Sequence, residues 1–393
     1  MPRWIAIHGS ALSALPALTA RRLIGIAVAL AVMVQGVVAV ACPFCGVVGR
    51  SLAERRDAAE VTAVGESAGP VVRDDLGRLV QPFAVGQSLR GRGTAGDIVA
   101  ARVAGPIAGT AVLFGDPEGW EAVAADEPLL AHVAAAPPLT EPAARRLAWY
   151  AARLEHRDPA IAADAFTEFG NAPFAAVRDA ARAFDAEQLR QWIEEPGIDQ
   201  RRRGFYGLAL GLVAAATPDG QERERHLAAL RRAVEAPGSD LRAGFDGLLA
   251  GIVVARGAAG IDELAARGLL DGATRAGDAR HALAVLRFAG ENLGDTVPRD
   301  RVAAATARLL ANPAVAADAA VDLARYQDWS AIEAVAGLWG SLGRDDPLVR
   351  RAVAGYLDAC PLPTARTHLD RLRAADPDRF AAALEAARAP FGR

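Results

Sequence analysis

From residue 139 onward, apolar residues recur at the three- and four-residue intervals of a helix, in runs of about 10 to 18 residues ended by proline, glycine or paired polar residues. The clearest run is Asp346-Pro347-Leu348-Val349-Arg350-Arg351-Ala352-Val353, in which an acid caps a helix, proline sets its first turn and apolar residues follow at helical spacing. Asp158-Pro159-Ala160-Ile161 opens another run in the same way, and Asn312-Pro313-Ala314-Val315 nearly repeats it. Thr140-Glu141-Pro142 opens the first helix, whose apolar stripe is Leu147, Tyr150, Ala151 and Leu154. Segment starts at Asp158, Arg201, Leu241, Ala279, Val315 and Asp346 lie about 31 to 43 residues apart. The expectation for 139–393 is an array of helix pairs, each burying its apolar side against its neighbours.

Before residue 139 the period shortens. Leu52 to Ala59 reads as a short charged helix, and Val61 to Val64, Leu79 to Leu89, Asp97 to Val103 and Thr110 to Phe114 read as strands. A small antiparallel sheet or partly open barrel over 42–135 accommodates them. Gly115 to Pro138 reads as a transition in which Trp120 covers the core of this head or docks it on the first helices, with Ala134-Ala135-Ala136-Pro137-Pro138 as a linker. The first 41 residues have a different character. Arg21-Arg22 precede a mostly apolar run from Leu23 to Ala41 that ends in Ala39-Val40-Ala41, the pattern of an export signal. The run is also close to bilayer length, so an uncleaved signal helix, or a lipid on Cys42, is the alternative way to the membrane.

Composition narrows the picture. Apolar residues make up 52% and aromatics only 6%, so the core is expected to be Ala, Leu and Val in closely packed helices. The 44 basic residues are all arginine, and a phosphate loop of the Walker type lacks its lysine. Losing Arg3, Arg21 and Arg22 with the first 41 residues takes the net charge from -3 to about -6, which gives no electrostatic reason to bind nucleic acid.

Cys42-Pro43-Phe44-Cys45 follows the expected cut site directly. Outside the cytoplasm such a pair is a local disulfide, with redox, lipidation or metal readings as alternatives, and Gly46 stands where haem attachment requires histidine. Cys360 ends a helix and reads as a buried free thiol. Gly65-Glu66-Ser67-Ala68-Gly69 has the letters of a nucleophile elbow without a helix after it. Gly91-Arg92-Gly93-Thr94-Ala95-Gly96 has those of a dinucleotide loop without a strand-helix-strand unit around it, so a glycine-rich hairpin is the better reading. In the helical part, Asp164 and Glu168 stand one turn apart, as do Asp318 and Asp322. Like charges at this spacing repel by a few tenths of a kcal/mol, so each pair needs compensation, and Arg325 is placed to supply it for Asp322. These acids are expected on a solvated face, or lining an acidic groove for a cationic peptide. Tyr326 and Trp329, at a helix junction, are candidates for the same contact. Glu155-His156-Arg157-Asp158 has metal-ligand residue types, but suits a helix end equally well.

Asp346, Pro347, Val349 and Arg350 match the D-P-x-V-R-x-x-A pattern of HEAT-like repeats, with Val353 in the last place; Asp158, Pro159, Ile161 and Ala165, and Pro313, Val315 and Ala319, match it in part. The chain therefore resembles HEAT-like repeat proteins. The head, with its cysteine-led start and the Val112-Leu113-Phe114-Gly115 run, resembles netrin-like or oligonucleotide/oligosaccharide-fold (OB) modules, and the whole layout is similar to a group of exported bacterial proteins with a Cys-Pro-x-Cys start. The resemblance implies a mostly α fold, a HEAT-like α-solenoid of helix pairs preceded by a small β-rich domain and an N-terminal signal helix. It implies irregularity in the charge ladder between repeats, because both partial copies have alanine in place of the arginine. The expected function is an exported, non-enzymatic scaffold that presents its solenoid to an unknown protein or peptide in the cell envelope, without cofactor or metal. The alternative is an extracytoplasmic thiol-disulfide or metal-handling protein working through Cys42 and Cys45.

Overall fold

The run Ala111-Val112-Leu113-Phe114 lacks the polar alternation of a half-exposed strand because both faces of its strand are covered. A computed structural model of the chain describes residues 49–238 and 242–389; the expected export segment, Cys42 and Cys45 lie outside the described residues. Six strands form one sheet, β1 (Val61–Ser67), β2 (Val72–Arg73), β3 (Leu79–Arg90), β4 (Ile98–Arg102), β5 (Thr110–Asp116) and β6 (Gly119–Ala124). The strands run β1-β5-β6-β4-β3-β2, and β1 also pairs with β3, so that five of them close into a barrel. All pairings are antiparallel except β4 with β6, where Ala101 faces Trp120 in parallel register. Ala63, Phe83, Val85, Ala101, Leu113 and Ala122 fill the interior. On the other face of β5, Val112 and Phe114 pack against Leu52, Leu129, Val133 and Ile161 from the surrounding helices.

Two expectations for the head need correction. The transition contains a strand, β6, and a helix, α2 (Glu127–Ala135), and the expected linker begins in the last turn of that helix. The reason is local: Asp116 to Gly119 make a hairpin turn, with the Glu118 N–H donating to Asp116 Oδ1, so the chain returns along β5 instead of leaving it. Trp120 does cover the barrel core, lying over Gly115, where a β-carbon would come within 2.8 Å of its ring.

Seventeen α-helices are found among the described residues. The first, α1 (Leu52–Ala58), opens with a capping box: the Ser51 hydroxyl accepts from Glu54 N–H, and Ser51 N–H donates to the Glu54 carboxylate. After the barrel and α2 come α3 (Ala143–Ala151), α4 (Pro159–Asn171), α5 (Phe174–Asp179), α6 (Ala186–Glu194), α7 (Gln200–Ala216), α8 (Gly220–Glu235), α9 (Phe245–Arg256), α10 (Ala258–Ala266), α11 (Ala276–Asn292) and α12 (Arg299–Arg308). They are followed by α13 (Ala316–Arg325), α14 (Ile332–Leu338), α15 (Pro347–Ala359), α16 (Pro363–Ala375) and α17 (Pro377–Arg388). Asp158 and Asp346 cap α4 and α15 as their acid-proline openings imply, each accepting the N–H two residues on at 2.8 Å. Asn312 makes the same bond, its Oδ1 accepting the Ala314 N–H at 3.0 Å, but it does not open the helix directly. Its amide donates across to the carbonyls of Thr274, Asp271 and Gly272, and the helix starts only at Ala316.

Packing alternates along the array: α7 lies on α9 and α9 on α11, then α13 on α15 and α15 on α17. Between α7 and α9 the contact is backbone to backbone, through Gly204, Gly207 and Gly211 on one helix and Gly244, Gly247 and Gly251 at the start and along the face of the other.

Ion pairs join segments 30 to 36 residues apart in the chain. Arg231 meets Glu263 at a separation of 32 residues, Arg242 meets Asp278 at 36, and Arg388 meets Asp358 at 30. Arg350 joins none of these pairs; it donates to the carbonyls of Gly343 and Arg344. Glu263 is the busiest node. Burial alone would raise its pKa, but hydrogen bonds from Arg231, Arg256 and Arg267 and the Arg231 charge outweigh that and hold it down to about 2. A depressed carboxylate contributes stability in full above its ordinary value of 4.5 and loses it as pH falls from there toward 2. Glu263→Gln should therefore cost on the order of 2 kcal/mol at pH 7, and the gap to wild type should close toward pH 3. Urea midpoints of both proteins at the two pH values measure this, and a gap indifferent to pH would refute it.

Candidate binding groove

Leu348 is apolar, yet it falls outside the stripe of its own helix. Val349, Ala352, Val353, Tyr356 and Leu357 face the core, while Leu348 is 63% exposed. It stands in a groove of about 540 Å3 formed by α13, α15 and α17, with Val321, Ala352 and Ala387 among the walls. Small residues here leave room for another chain to approach, and Val321 is the second exposed large apolar residue of the groove. Exposed apolar side chains that gather in a concavity with a polar rim are what a binding site presents. Three further exposed apolar residues, Val72, Leu76 and Ile98, belong to the barrel.

The rim is charged. Arg287, projecting from α11, donates from Nε to Asp322 Oδ2 at 2.5 Å and lies 3.5 Å from Asp318. Arg325, expected to neutralise Asp322, does reach it, at 3.5 Å. Arg287 is the closer partner, so most of the compensation comes from another helix. Asp322 is buried, and burial lifts its pKa above the usual carboxylate range in spite of both arginines. Asp318 and Arg325 are the exposed charges flanking the apolar floor. Tyr326 and Trp329 are half-buried and not among the groove walls. Burial pushes the Tyr326 hydroxyl up to about 12, and Trp329 packs edge-on to Tyr356.

Asp164 and Glu168 stand elsewhere and are not on a surface at all: they retain only 5% and 2% of their exposure. Both carboxylates hold the N-terminal end of α1 against α4. Asp164 Oδ1 accepts the Leu52 N–H at 2.6 Å and its Oδ2 accepts from His132 Nε2 at 2.8 Å, while Glu168 accepts from the Ser51 hydroxyl and from Arg146 Nη2. Burial pushes the Glu168 carboxyl above its usual range, against the pull of Ser51 and Arg146. The expected solvated acidic face is thus replaced by a buried junction between α1, α2, α3 and α4. The acids are screened from each other by donors from three other elements, which sequence spacing alone does not reveal. His132, Arg146 and Tyr150 were missed as members of this junction. Tyr150 was legible only as part of an apolar stripe.

The remaining motifs are structural. Ser67 ends β1, and its Oγ accepts from Gln81 Nε2 at 2.7 Å, with Gln81 also bridging to Ile107. Gly91 to Gly96 joins β3 to β4 as a hairpin connection. His156 Nδ1 accepts the Asp158 N–H, and Glu155 takes the Tyr206 hydroxyl and Arg202, so those residues are already engaged. Cys360 is buried and free. No described helix is long and apolar enough to cross a membrane. No family model, curated protein or solved structure matches the chain.

Proposed function

We propose that the protein is an exported, non-enzymatic scaffold whose helical array is an α-solenoid, and that it holds a protein or peptide partner in the groove of α13, α15 and α17. Export rests on the signal-like run from Arg21 to Ala41. The solenoid reading is supported by alternate packing along the array and by ion pairs recurring at 30 to 36 residues. It is supported also by the helix starts at Pro159, Gln200, Phe245, Ala276, Ala316 and Pro347, each within four residues of a segment start anticipated from the pattern. For the head, closure of five strands with a Greek-key crossover between β4 and β6 supports an OB-type barrel.

The observation that carries the binding role is Leu348, an aliphatic anchor left uncovered in the lining of a groove that also bears exposed Asp318 and Arg325. Burying such a side chain in a partner is worth about 1.5–3 kcal/mol. Peptides selected from a random display library on the full chain should therefore bind Leu348→Asp at least about ten-fold more weakly, while Leu76→Asp on the barrel leaves them unaffected. Selected peptides that are indifferent to Leu348→Asp would overturn the reading.

A further inference from the structure

A second cleft, of about 520 Å3, opens where the C-terminal ends of α6 and α8 meet the N-terminal ends of α7 and α9. Among the described residues its lining contains three guanidinium groups, Arg203, Arg232 and Arg242, against a single carboxylate, Glu194. Arg232 is committed to that carboxylate, with Nη2 2.8 Å from Glu194 Oε1. Arg242 is committed too: it donates to Asp278 at 2.9 Å and to the Val234 carbonyl at 3.0 Å, and its guanidinium lies 3.5 Å from the centre of the Phe245 ring.

Arg203 is different. Its Nη2 donates to the Glu195 carbonyl at 2.6 Å, but its Nε is buried with no hydrogen-bond partner among the described residues. A buried donor left unpaired is costly, and Arg203 has no carboxylate partner among the described residues, so it is the guanidinium of this lining whose charge is left for an anion to neutralise. Apart from Gln200, the other walls, including Ile193, Ala233 and Leu248, carry no polar side chain.

We propose that this cleft is a binding site for a small organic carboxylate, whose acid group engages Arg203 while its hydrocarbon body lies against Ile193, Ala233 and Leu248. One guanidinium without a carboxylate partner among the described residues, set beside largely apolar walls, suits a monoanion with a hydrocarbon tail. Phosphate, with more oxygens to satisfy and no apolar part, finds too few free donors here. The site is separate from the groove of α13, α15 and α17 and does not depend on it.

The test is calorimetric titration of the full chain with octanoate, and with inorganic phosphate as the comparison. Octanoate should bind saturably at one site and phosphate at least ten-fold more weakly. Arg203→Gln should weaken octanoate about ten- to hundred-fold, as expected for loss of a charge-assisted hydrogen bond. Ala233→Phe, which fills the cleft and leaves Arg203 in place, should abolish binding, and it decides the matter should Arg203→Gln fail to fold. Absence of saturable octanoate binding, equal binding of phosphate, or octanoate affinity unchanged in either folded variant overturns the proposal.

Discussion

Gly247→Ala is expected to destabilise the chain by about 3 kcal/mol or more, although alanine is favoured over glycine in a helix by about 1 kcal/mol. The added β-carbon would lie 2.6 Å from the Cα of Gly204 on the neighbouring helix. Backbone cannot move aside as a side chain can, so α7 and α9 would have to separate along the whole seam. There Gly207 already meets Leu248 Cα at a would-be 2.8 Å and Gly211 meets the Gly251 carbonyl carbon at 2.7 Å. Gly337, exposed in α14 with nothing near its would-be β-carbon, is the matched control. Gly337→Ala should be neutral or stabilising by up to about 1 kcal/mol. Urea unfolding of the two variants beside wild type makes the comparison, and similar effects at both sites would mean that the seam is not tight.

Asp164→Ala should cost about 3–5 kcal/mol, the range for breaking a buried charged network from one side. Removing the carboxylate leaves the Leu52 N–H and His132 Nε2 without their acceptor, in a junction where His132 Nδ1, Arg146 Nε and Tyr150 Oη already have no partner among the described residues. The loss should be partly local. Leu52 and Ser51 are the points where α1 is held, so α1 should open before the rest of the chain unfolds. Limited trypsin digestion reads this directly, since Arg55 and Arg56 lie in α1 and Arg56 is buried by its bonds to the Val133 and Ala136 carbonyls. Cleavage there should accelerate in Asp164→Ala under conditions where cutting at later arginines does not. A variant as resistant and as stable as wild type would show that the junction contributes nothing to holding α1.

The groove and the junction were legible to different degrees. Leu348 could be picked out by phase, because it falls off the stripe that its helix buries, and Asp318, Asp322 and Arg325 were recognised as an acid pair with a nearby cation. Arg287 was not, since it comes from α11, 35 residues before Asp322, and no spacing within α13 points to it. Asp164 and Glu168 carry the same one-turn spacing as Asp318 and Asp322, yet both of the first pair are buried against α1, and only one of the second is buried.

What the sequence by itself determined was local: where helices begin, because Asp-Pro supplies both the cap and the first turn, and where strands run, because β-branched and apolar stretches are punctuated by glycine and proline. Only the tertiary structure decided which charges see water, which glycines meet backbone, and that Asp116 to Gly119 turns the chain back into the barrel. Capping and periodicity act within a few residues, whereas burial of a carboxylate depends on which helix, encoded some hundred residues away, comes to rest on it.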